Sequence, residues 1–154
     1  MRIAIGSDHA GFHLKNHLRD MLRAQGHDVC DVGSFTAESC DYPDFAVLVG
    51  ARVAGNEADL GVLICGTGIG MSMAANKVKG VRAAVVSEPV SARLARAHND
   101  ANVICMGERI VGPEVAEEIV RVFLDTPFSQ GERHVRRVRK ISGIEEGSGV
   151  KLAG

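Results

Sequence analysis

Residues 60–70 carry the most information in this chain: Leu60-Gly61-Val62-Leu63-Ile64-Cys65-Gly66-Thr67-Gly68-Ile69-Gly70. The first six residues are almost all apolar, which is typical of a strand buried on both faces of a parallel sheet. Three alternate glycines follow, and a helical pattern begins near residue 69. The stretch therefore predicts a strand, a tight turn and a helix in direct succession, as in a βαβ unit.

The same alternation of short apolar runs and longer amphipathic segments continues in both directions. The runs predicted as strands are Ile3–Ile5, Val29–Val32, Leu60–Cys65, Arg82–Val86 and Asn102–Met106. The predicted helices cover residues 12–25, a segment beginning at Pro43, residues 69–78 and 88–98, and a segment between Pro113 and Pro127. Five strands with helical crossovers predict an α/β fold: a Rossmann-like three-layer α/β/α sandwich around a five-stranded parallel sheet. We expect a single domain over residues 1–154, with a basic C-terminal helix or tail at about 128–154.

Composition and charge exclude several classes of protein. The 154 residues are 45% hydrophobic and 24% charged, as in ordinary globular proteins and unlike disordered or coiled-coil chains. The net charge is −1, but residues 128–154 carry +3 and residues 1–127 carry −4. This balance argues against a chain-wide attraction to nucleic acid or to an anionic membrane.

The sequence contains no pattern typical of export or membrane insertion. No apolar run approaches 18 residues, and Asp8 interrupts the N-terminal apolar run before a signal-peptide core forms. The cysteines at positions 30, 40, 65 and 105 form no CxxC pair and have no metal-ligand spacing. We therefore expect a cytoplasmic protein with reduced thiols and no membrane partner.

Cys65 is the first candidate for chemistry, because ligands of open parallel sheets bind beyond the carboxyl ends of the strands. The amides of the following glycines are expected to face an anion there, and the N-terminus of the next helix favours the thiolate. The alternative is a small core residue followed by a structural turn. A dinucleotide site fits less well, because GxGxG is one residue short of the GxGxxG fingerprint and no acidic residue is suitably placed.

Asp8 and His9 follow the first predicted strand, so we expect them at the same sheet edge as Cys65. One interpretation is that His9 binds a phosphate at this edge. The alternative is that Asp8 serves only as the N-cap of the following helix. His9, His13 and His17 recur at every fourth position and suggest a metal site, but the glutamate of HExxH is missing. A solvated helix face explains His13 and His17 better, and we expect no metal.

Cations near the end of the chain form a second candidate site. Arg133, Arg137 and Lys140 recur at spacings of four and three residues, so they share one face of a helix. Three interpretations of this face are open. It binds a phosphate dianion, it forms an arm that binds nucleic acid, or it is only a solvated helix face. No aromatic residue interleaves with the cations, which argues against nucleic acid. His98 lies at the end of a predicted helix, and the alternative to a role in a site is a simple interaction with the helix dipole.

Together these motifs resemble the B-type ribose-5-phosphate isomerases, whose family also contains allose-6-phosphate and galactose-6-phosphate isomerases. The matching runs lie in family order over roughly residues 2–146: Gly6–Phe12, Asp41–Pro43, Cys65–Gly70, Ala74–Lys77, Arg82–Ala84, His98–Asn102 and Gly107–Arg109. The resemblance implies an aldose–ketose isomerase that interconverts ribose 5-phosphate and ribulose 5-phosphate in the pentose phosphate pathway. It implies no cofactor and no metal.

The resemblance also implies roles for the candidate residues. Cys65 is the base that moves a proton between C2 and C1, since Met71 replaces the glutamate used by another branch of the family. His98 opens the sugar ring with help from Asp8, and Thr67 relays a proton between O1 and O2. The implied substrate ligands are the amides of Gly66, Thr67, Gly68, Ile69 and Gly70 for the enediolate, Tyr42 and Asn99 for sugar hydroxyls, and His9, Arg109, Arg133 and Arg137 for the phosphate.

Family members are homodimers, often paired into tetramers, with the active site at the subunit interface. The resemblance therefore implies that the segment from His98 to Arg109 reaches the partner's Cys65 loop and that the basic tail packs nearby. Because all implied catalytic residues occur on one chain, galactose-6-phosphate enzymes that divide their site between two different subunits are disfavoured. Open alternatives are an isomerase of allose 6-phosphate, galactose 6-phosphate or a tetrose phosphate, and a nucleotide-binding module of the same architecture.

Overall fold

A computed structural model describes residues 1–148 of the chain. Five strands form one sheet: β1 Arg2–Ser7, β2 Asp28–Asp31, β3 Leu60–Cys65, β4 Ala83–Val85 and β5 Val103–Gly107. All of them run parallel, in the order β2-β1-β3-β5-β4. The prediction of a five-stranded parallel sheet is confirmed.

Helices cover both faces of the sheet. The helices are α1 Phe12–Ala24, α2 Tyr42–Ala54, α3 Ile69–Ala75, α4 Pro89–Asn99, α5 Pro113–Asp125 and α6 Glu132–Glu145, and a 3-10 turn at His9–Gly11 precedes α1. Buried side chains of α1, α4 and α5 pack on one face, and those of α2 and α3 pack on the other. Helix α6 packs against α4. The three-layer α/β/α sandwich is therefore confirmed. None of the described helices combines the length and hydrophobicity of a membrane-spanning segment.

The order of the strands creates a crevice between β1 and β3. The helices that follow these two strands, α1 and α3, cover opposite faces of the sheet. Ser7 pairs in register with Ile64, so the next residues along each strand, Asp8 and Cys65, lie at the same edge. Open α/β sheets bind their ligands at such a topological switch point.

Helix α3 and strand β4 are shorter than the sequence pattern predicted. The helix expected over residues 69–78 ends at Ala75, because the side chain of Asn76 bonds both backbone groups of Ala83 at 2.8 and 2.9 Å. Strand β4 begins at Ala83 rather than Arg82, because the Arg82 amide donates to the side-chain oxygen of Asn102 at 2.8 Å. Side-chain hydrogen bonds set both ends, and apolar periodicity does not reveal them.

The sequence pattern did not indicate that Lys15 is buried. Its side chain is 0% exposed, and Nζ lies 2.8 and 2.7 Å from the two carboxylate oxygens of Asp31. Asp31 also accepts hydrogen bonds from Arg19 and from the amide of Gly33. A buried charge needs such pairing, because its removal from water is otherwise very unfavourable. The pair joins α1 to the end of β2.

Replacing Asp31 by Ala leaves the Lys15 ammonium buried without its counter-ion. We expect the free energy of unfolding, measured by urea denaturation, to fall by about 3–5 kcal/mol. The matched control is Glu57→Ala, which breaks the exposed Arg52–Glu57 pair and is expected to cost at most about 1 kcal/mol. Equal losses in the two variants would contradict the importance of the buried pair.

Candidate active site

Cys65 ends β3 with only 5% of its surface exposed. The backbone amide of Gly68 donates a hydrogen bond to its sulfur at 3.1 Å, which fixes the position of the sulfur in the loop. The amides of Gly66 and Thr67 have no hydrogen-bond acceptor among residues 1–148. The loop therefore combines a hydrogen-bonded sulfur with amide donors that are free to hold an oxyanion.

The shape of this loop depends on direct backbone contact between the ends of β3 and β5. Gly68 has a φ of +79°, and a Cβ added there would lie 2.9 Å from the backbone of Met106. A Cβ added at Gly107 would lie 2.5 Å from the backbone of Thr67. Only glycine fits at these two positions, because any side chain would push the two backbones apart.

Two side chains frame the loop. The ring of Tyr42 packs on Gly70, where an added Cβ would lie 2.6 Å from Cζ of the ring. The guanidinium of Arg109 packs on Gly66, where an added Cβ would lie 3.1 Å from Nη1. Tyr42 and Arg109 therefore lie at the Cys65 loop of their own chain.

The segment from His98 to Arg109 is expected to reach a partner's Cys65 loop, but its last two residues bond to the Cys65 loop of their own chain. The amide of Glu108 donates to the carbonyl of Cys65 at 2.9 Å, and the amide of Arg109 donates to that of Gly66 at 3.2 Å. Glu108 Oε2 accepts a hydrogen bond from the amide of Leu14, in the first turn of α1, at 2.9 Å. Glu108, which the sequence reasoning missed, thus ties this segment to its own chain.

Asp8 and His9 lie beside the loop, at the start of the 3-10 turn. Asp8 Oδ1 accepts hydrogen bonds from the amides of Ala10 and Gly11 at 2.9 and 3.1 Å, so this oxygen acts as the N-cap that one interpretation expected. Its second carboxylate oxygen has no partner among residues 1–148 and is available to a ligand. His9 Nδ1 lies 3.2 Å from the amide nitrogen of Cys40, which holds the half-buried ring in place.

These residues share the carboxyl edge of the sheet. We call them the carboxyl-edge group, and its members are Asp8, His9, Tyr42, Cys65–Gly70 and Arg109.

His98 and Asn99 lie at the opposite edge. They end α4, which runs back from β4 to the start of β5. The carbonyl of Asn102, near them in the chain, accepts a hydrogen bond from the amide of Gly61. His98 and Asn99 therefore lie near the start of β3, and Cys65 lies at its end. A parallel strand rises about 3.3 Å per residue, so the four steps from Gly61 to Cys65 separate the two edges by about 13 Å. The structure does not bring His98 and Cys65 of one chain together.

The first turns of α6 lie next to His98. The rings of His98 and His134 stack with their centroids 4.3 Å apart, and Arg133 and Arg137 on the same helix are exposed. We call His98, Asn99, Arg133 and Arg137 the amino-edge group. The sequence reasoning did not single out His134, because no spacing rule marks one histidine within a run of cations. Its burial in the folded chain distinguishes it.

The arginines of both groups are free to bind an anion. Among residues 1–148, no carboxylate lies within ion-pair distance of Arg109, Arg133 or Arg137, whereas Arg82 and Arg96 both pair with Asp100 at 2.9 and 2.8 Å. Guanidinium groups bind phosphate through two parallel N–H donors. These three side chains therefore suit a phosphate dianion, provided that the two edges meet.

Two nearby side chains do not compete with Cys65 for proton transfer. Burial raises the pKa of the Cys105 thiol far above its ordinary value, and the neighbouring Cys65 raises it further, so Cys105 stays protonated. Met71 is fully buried in the same apolar cluster and carries no basic group. Cys65 is thus the thiol at this loop that can act as a base.

The histidines of α1 do not form a metal site in the described chain. Nε2 of His17 lies 2.7 Å from a carboxylate oxygen of Glu117, and the ring of His13 packs edge-on against Phe12. Among residues 1–148, no three His, Cys, Asp or Glu side chains converge on one point.

The chain matches known proteins over nearly its whole length. The family model described as Ribose/Galactose Isomerase matches residues 3–141. Ribose-5-phosphate isomerase B of Escherichia coli is 49% identical over 145 residues, which cover 94% of this chain and 97% of that protein. A galactose-6-phosphate isomerase subunit of Clostridium acetobutylicum is 40% identical, with 95% and 84% covered. D-erythrulose-4-phosphate isomerase of Pectobacterium atrosepticum is 42% identical, with 94% and 95% covered.

A solved structure gives the same result. Ribose-5-phosphate isomerase B of Clostridium thermocellum superposes with a TM-score of 0.94 and 48% identity, covering 97% of this chain and 100% of that one. The resemblance seen in the motifs is therefore confirmed. The chain is an isomerase and belongs to the ribose/galactose isomerase family, together with the B-type ribose-5-phosphate isomerases.

Proposed function

We propose that this isomerase interconverts ribose 5-phosphate and ribulose 5-phosphate. The observation that carries the proposal is the Cys65 loop, where the Gly68 amide donates to the sulfur and the amides of Gly66 and Thr67 are free. Aldose–ketose interconversion needs a base beside an oxyanion site, because the proton leaves a carbon next to a carbonyl group. The loop offers both, and relatives named for this reaction support the choice of substrate.

In the proposed reaction, the Cys65 thiolate removes the C2 proton of the open-chain aldose, and the electron pair moves through C1 to O1. The amides of residues 66–70 stabilise the resulting enediolate. The exposed Thr67 hydroxyl relays a proton from O2 to O1. The Cys65 thiol then returns its proton to C1 as the carbonyl forms at C2, so no co-reactant is consumed.

The cyclic sugar must open before this step. We assign ring opening to His98 as acid and base, assisted by the free carboxylate oxygen of Asp8. Tyr42 and Asn99 hold sugar hydroxyls. Their exposure at the two edges supports this role, since both side chains are accessible to a ligand.

The phosphate is assigned to His9, Arg109, Arg133 and Arg137. The three guanidiniums have no carboxylate partner within residues 1–148, and His9 lies beside the Cys65 loop. A dianion held by planar N–H pairs is fixed in orientation as well as position, and this aligns the sugar carbons with the base.

These roles require two chains, because the carboxyl-edge and amino-edge groups of one chain are separated by the length of β3 and β5. We propose a homodimer in which the amino edge of each chain meets the carboxyl edge of the other, giving two equivalent sites. An apolar cavity of about 450 Å³ opens beside Asn99, with Ile141 and Ile144 on its wall. Ile69 and Met73 on α3 are 50% and 64% exposed. Such a contact would cover these apolar surfaces.

The second candidate function is the same reaction on another sugar phosphate. Relatives named for galactose 6-phosphate and erythrulose 4-phosphate favour it. These sugars are longer and shorter than ribose by one carbon. A nucleotide-binding module leaves the combination of Cys65, His98 and Asp8 without a role. A thiolate base needs a reduced cysteine, so we place the enzyme in the cytoplasm.

Cys65→Ala removes the proposed base and keeps the loop amides. We expect exchange of the C2 proton of ribose 5-phosphate with solvent to fall by at least about a hundredfold, as measured by NMR in D2O. The affinity for the sugar phosphate, measured by calorimetry, should change by less than about twofold, because the base contributes little to binding of the substrate in its ground state. The matched control is Cys105→Ala, which removes a buried thiol and should retain exchange. Full exchange in Cys65→Ala would eliminate Cys65 as the base.

Subunit complementation tests the shared site. Cys65→Ala and His98→Asn are each expected to be nearly inactive on ribose 5-phosphate, yet unfolding and refolding the two together should restore roughly a quarter of native activity. Half of the randomly mixed dimers are hybrids, and each hybrid contains one site with both native residues. Mixing without refolding is the control. If activity does not return although hybrid dimers form, the site lies within a single chain.

A panel of aldose phosphates tests the substrate. Ketose formation should give ribose 5-phosphate a kcat/KM at least about tenfold above those of erythrose 4-phosphate, allose 6-phosphate and galactose 6-phosphate. A six-carbon or four-carbon sugar with the highest value would replace ribose 5-phosphate in the proposal. Absence of ketose from every sugar would contradict the proposed reaction.

A further inference from the structure

His134 is a buried histidine between the functional arginines of α6. Only 7% of its surface is exposed, although its neighbours Arg133 and Arg137 lie at the surface. Its ring stacks on that of His98 with a centroid distance of 4.3 Å and an angle of 36° between the planes. It therefore touches the residue assigned to ring opening and lies next to a residue assigned to the phosphate.

The hydrogen bonds of His134 select one tautomer and one ring orientation. Nε of Arg133 donates to Nε2 at 3.1 Å, so Nε2 carries no proton. Nδ1 then carries the proton and donates it to Ser129 Oγ at 2.8 Å. The Ser129 amide in turn donates to the carbonyl of Ala97, the residue before His98, at 3.0 Å. The ring is thus fixed on both sides, by α6 and by the end of α4.

The charge state of His134 suits this arrangement. Burial lowers the pKa of His134, and the charges of His98, Arg133 and Arg137 lower it further. The ring is neutral near pH 7, and Nε2 remains an acceptor for Arg133. A cationic side chain at this position would repel the guanidinium that it contacts.

We propose that His134 is a positioning residue that holds both the His98 ring and the Arg133 guanidinium, an inference that rests on the proposed function. Its ring face orients His98 for ring opening through stacking. Its Nε2 atom orients Arg133 toward the phosphate through a hydrogen bond. One side chain therefore has two separable effects, one on each neighbour.

The chemistry of the two substrates separates these effects. Ribose 5-phosphate is a closed furanose and must open before its C2 proton can leave. Ribulose 5-phosphate has its carbonyl at C2 and its phosphate on O5, so it has no free hydroxyl that closes a five-membered ring. Proton exchange at C1 of ribulose 5-phosphate therefore needs the phosphate ligands and the base, but it needs no ring opening.

Two substitutions isolate the two effects. His134→Phe keeps the stacked ring and loses the acceptor for Arg133, so we expect KM to rise about tenfold for both sugars while kcat for ribose 5-phosphate changes by less than about threefold. His134→Gln retains an acceptor and loses the ring. We expect its kcat for ribose 5-phosphate to fall about tenfold. The rate of proton exchange at C1 of ribulose 5-phosphate and the KM values for both sugars should be nearly unchanged. His17→Gln, on the exposed face of α1, is the matched control and should behave as the native protein.

The proposal is overturned if the two variants lose activity equally on both substrates, because that pattern indicates only loss of folding, or if neither variant differs from the native protein. Nitrogen-15 NMR of the native protein provides a readout that does not depend on activity or on stable variants. We expect His134 to be protonated on Nδ1 alone at pH 7, and protonation on Nε2 would overturn the inference. The native protein in the same assays tests the proposed function separately, since its failure to convert ribose 5-phosphate leaves the tautomer result unaffected.

Discussion

All five strands of the sheet run in the same direction, and this constraint determines where each candidate side chain lies. Parallel strands require a helix that returns the chain to the starting edge, so a residue after a strand and a residue before the next one lie at opposite edges. Cys65 ends β3, whereas His98 precedes β5. Asp8 and Cys65 share an edge because β1 and β3 are neighbours in register. One strand direction thus places the two candidate groups at opposite edges, and the proposed homodimer brings the edges of two identical chains together.

The carboxyl edge is organised by backbone contact. The turn after β3 lies directly against the end of β5, and Glu108 and Arg109 bond to the carbonyls of Cys65 and Gly66. Through Glu108 the same segment also holds the first turn of α1. The amides of Gly66 and Thr67 remain free because the surrounding bonds already fix the loop. A rigid loop with free donors stabilises a developing oxyanion without reorganisation.

Among residues 1–148, charged side chains have carboxylate partners in the core but not at the two candidate groups. In the core, the Lys15 ammonium is matched by Asp31, since an unpaired buried charge is very unfavourable. At the edges, Arg109, Arg133 and Arg137 have no carboxylate partner within the described residues, which leaves their charge for a ligand. His134 lies among cations as a neutral ring and orients its neighbours without adding to their repulsion.

The sequence was sufficient to predict the fold class, the five strands and the family, because apolar periodicity and short glycine motifs are local properties of the chain. It also supplied every residue of the two candidate groups, although their roles stay predictions. It did not reveal the buried Lys15, the anchoring Glu108 or the stacked His134. Their environments come from contacts between distant segments, such as the bond between Leu14 and Glu108, 94 residues apart. It likewise did not reveal that Arg109 lies on its own chain's loop and His98 at the far edge. That division follows from the order and direction of the strands, which exist only once the chain has folded.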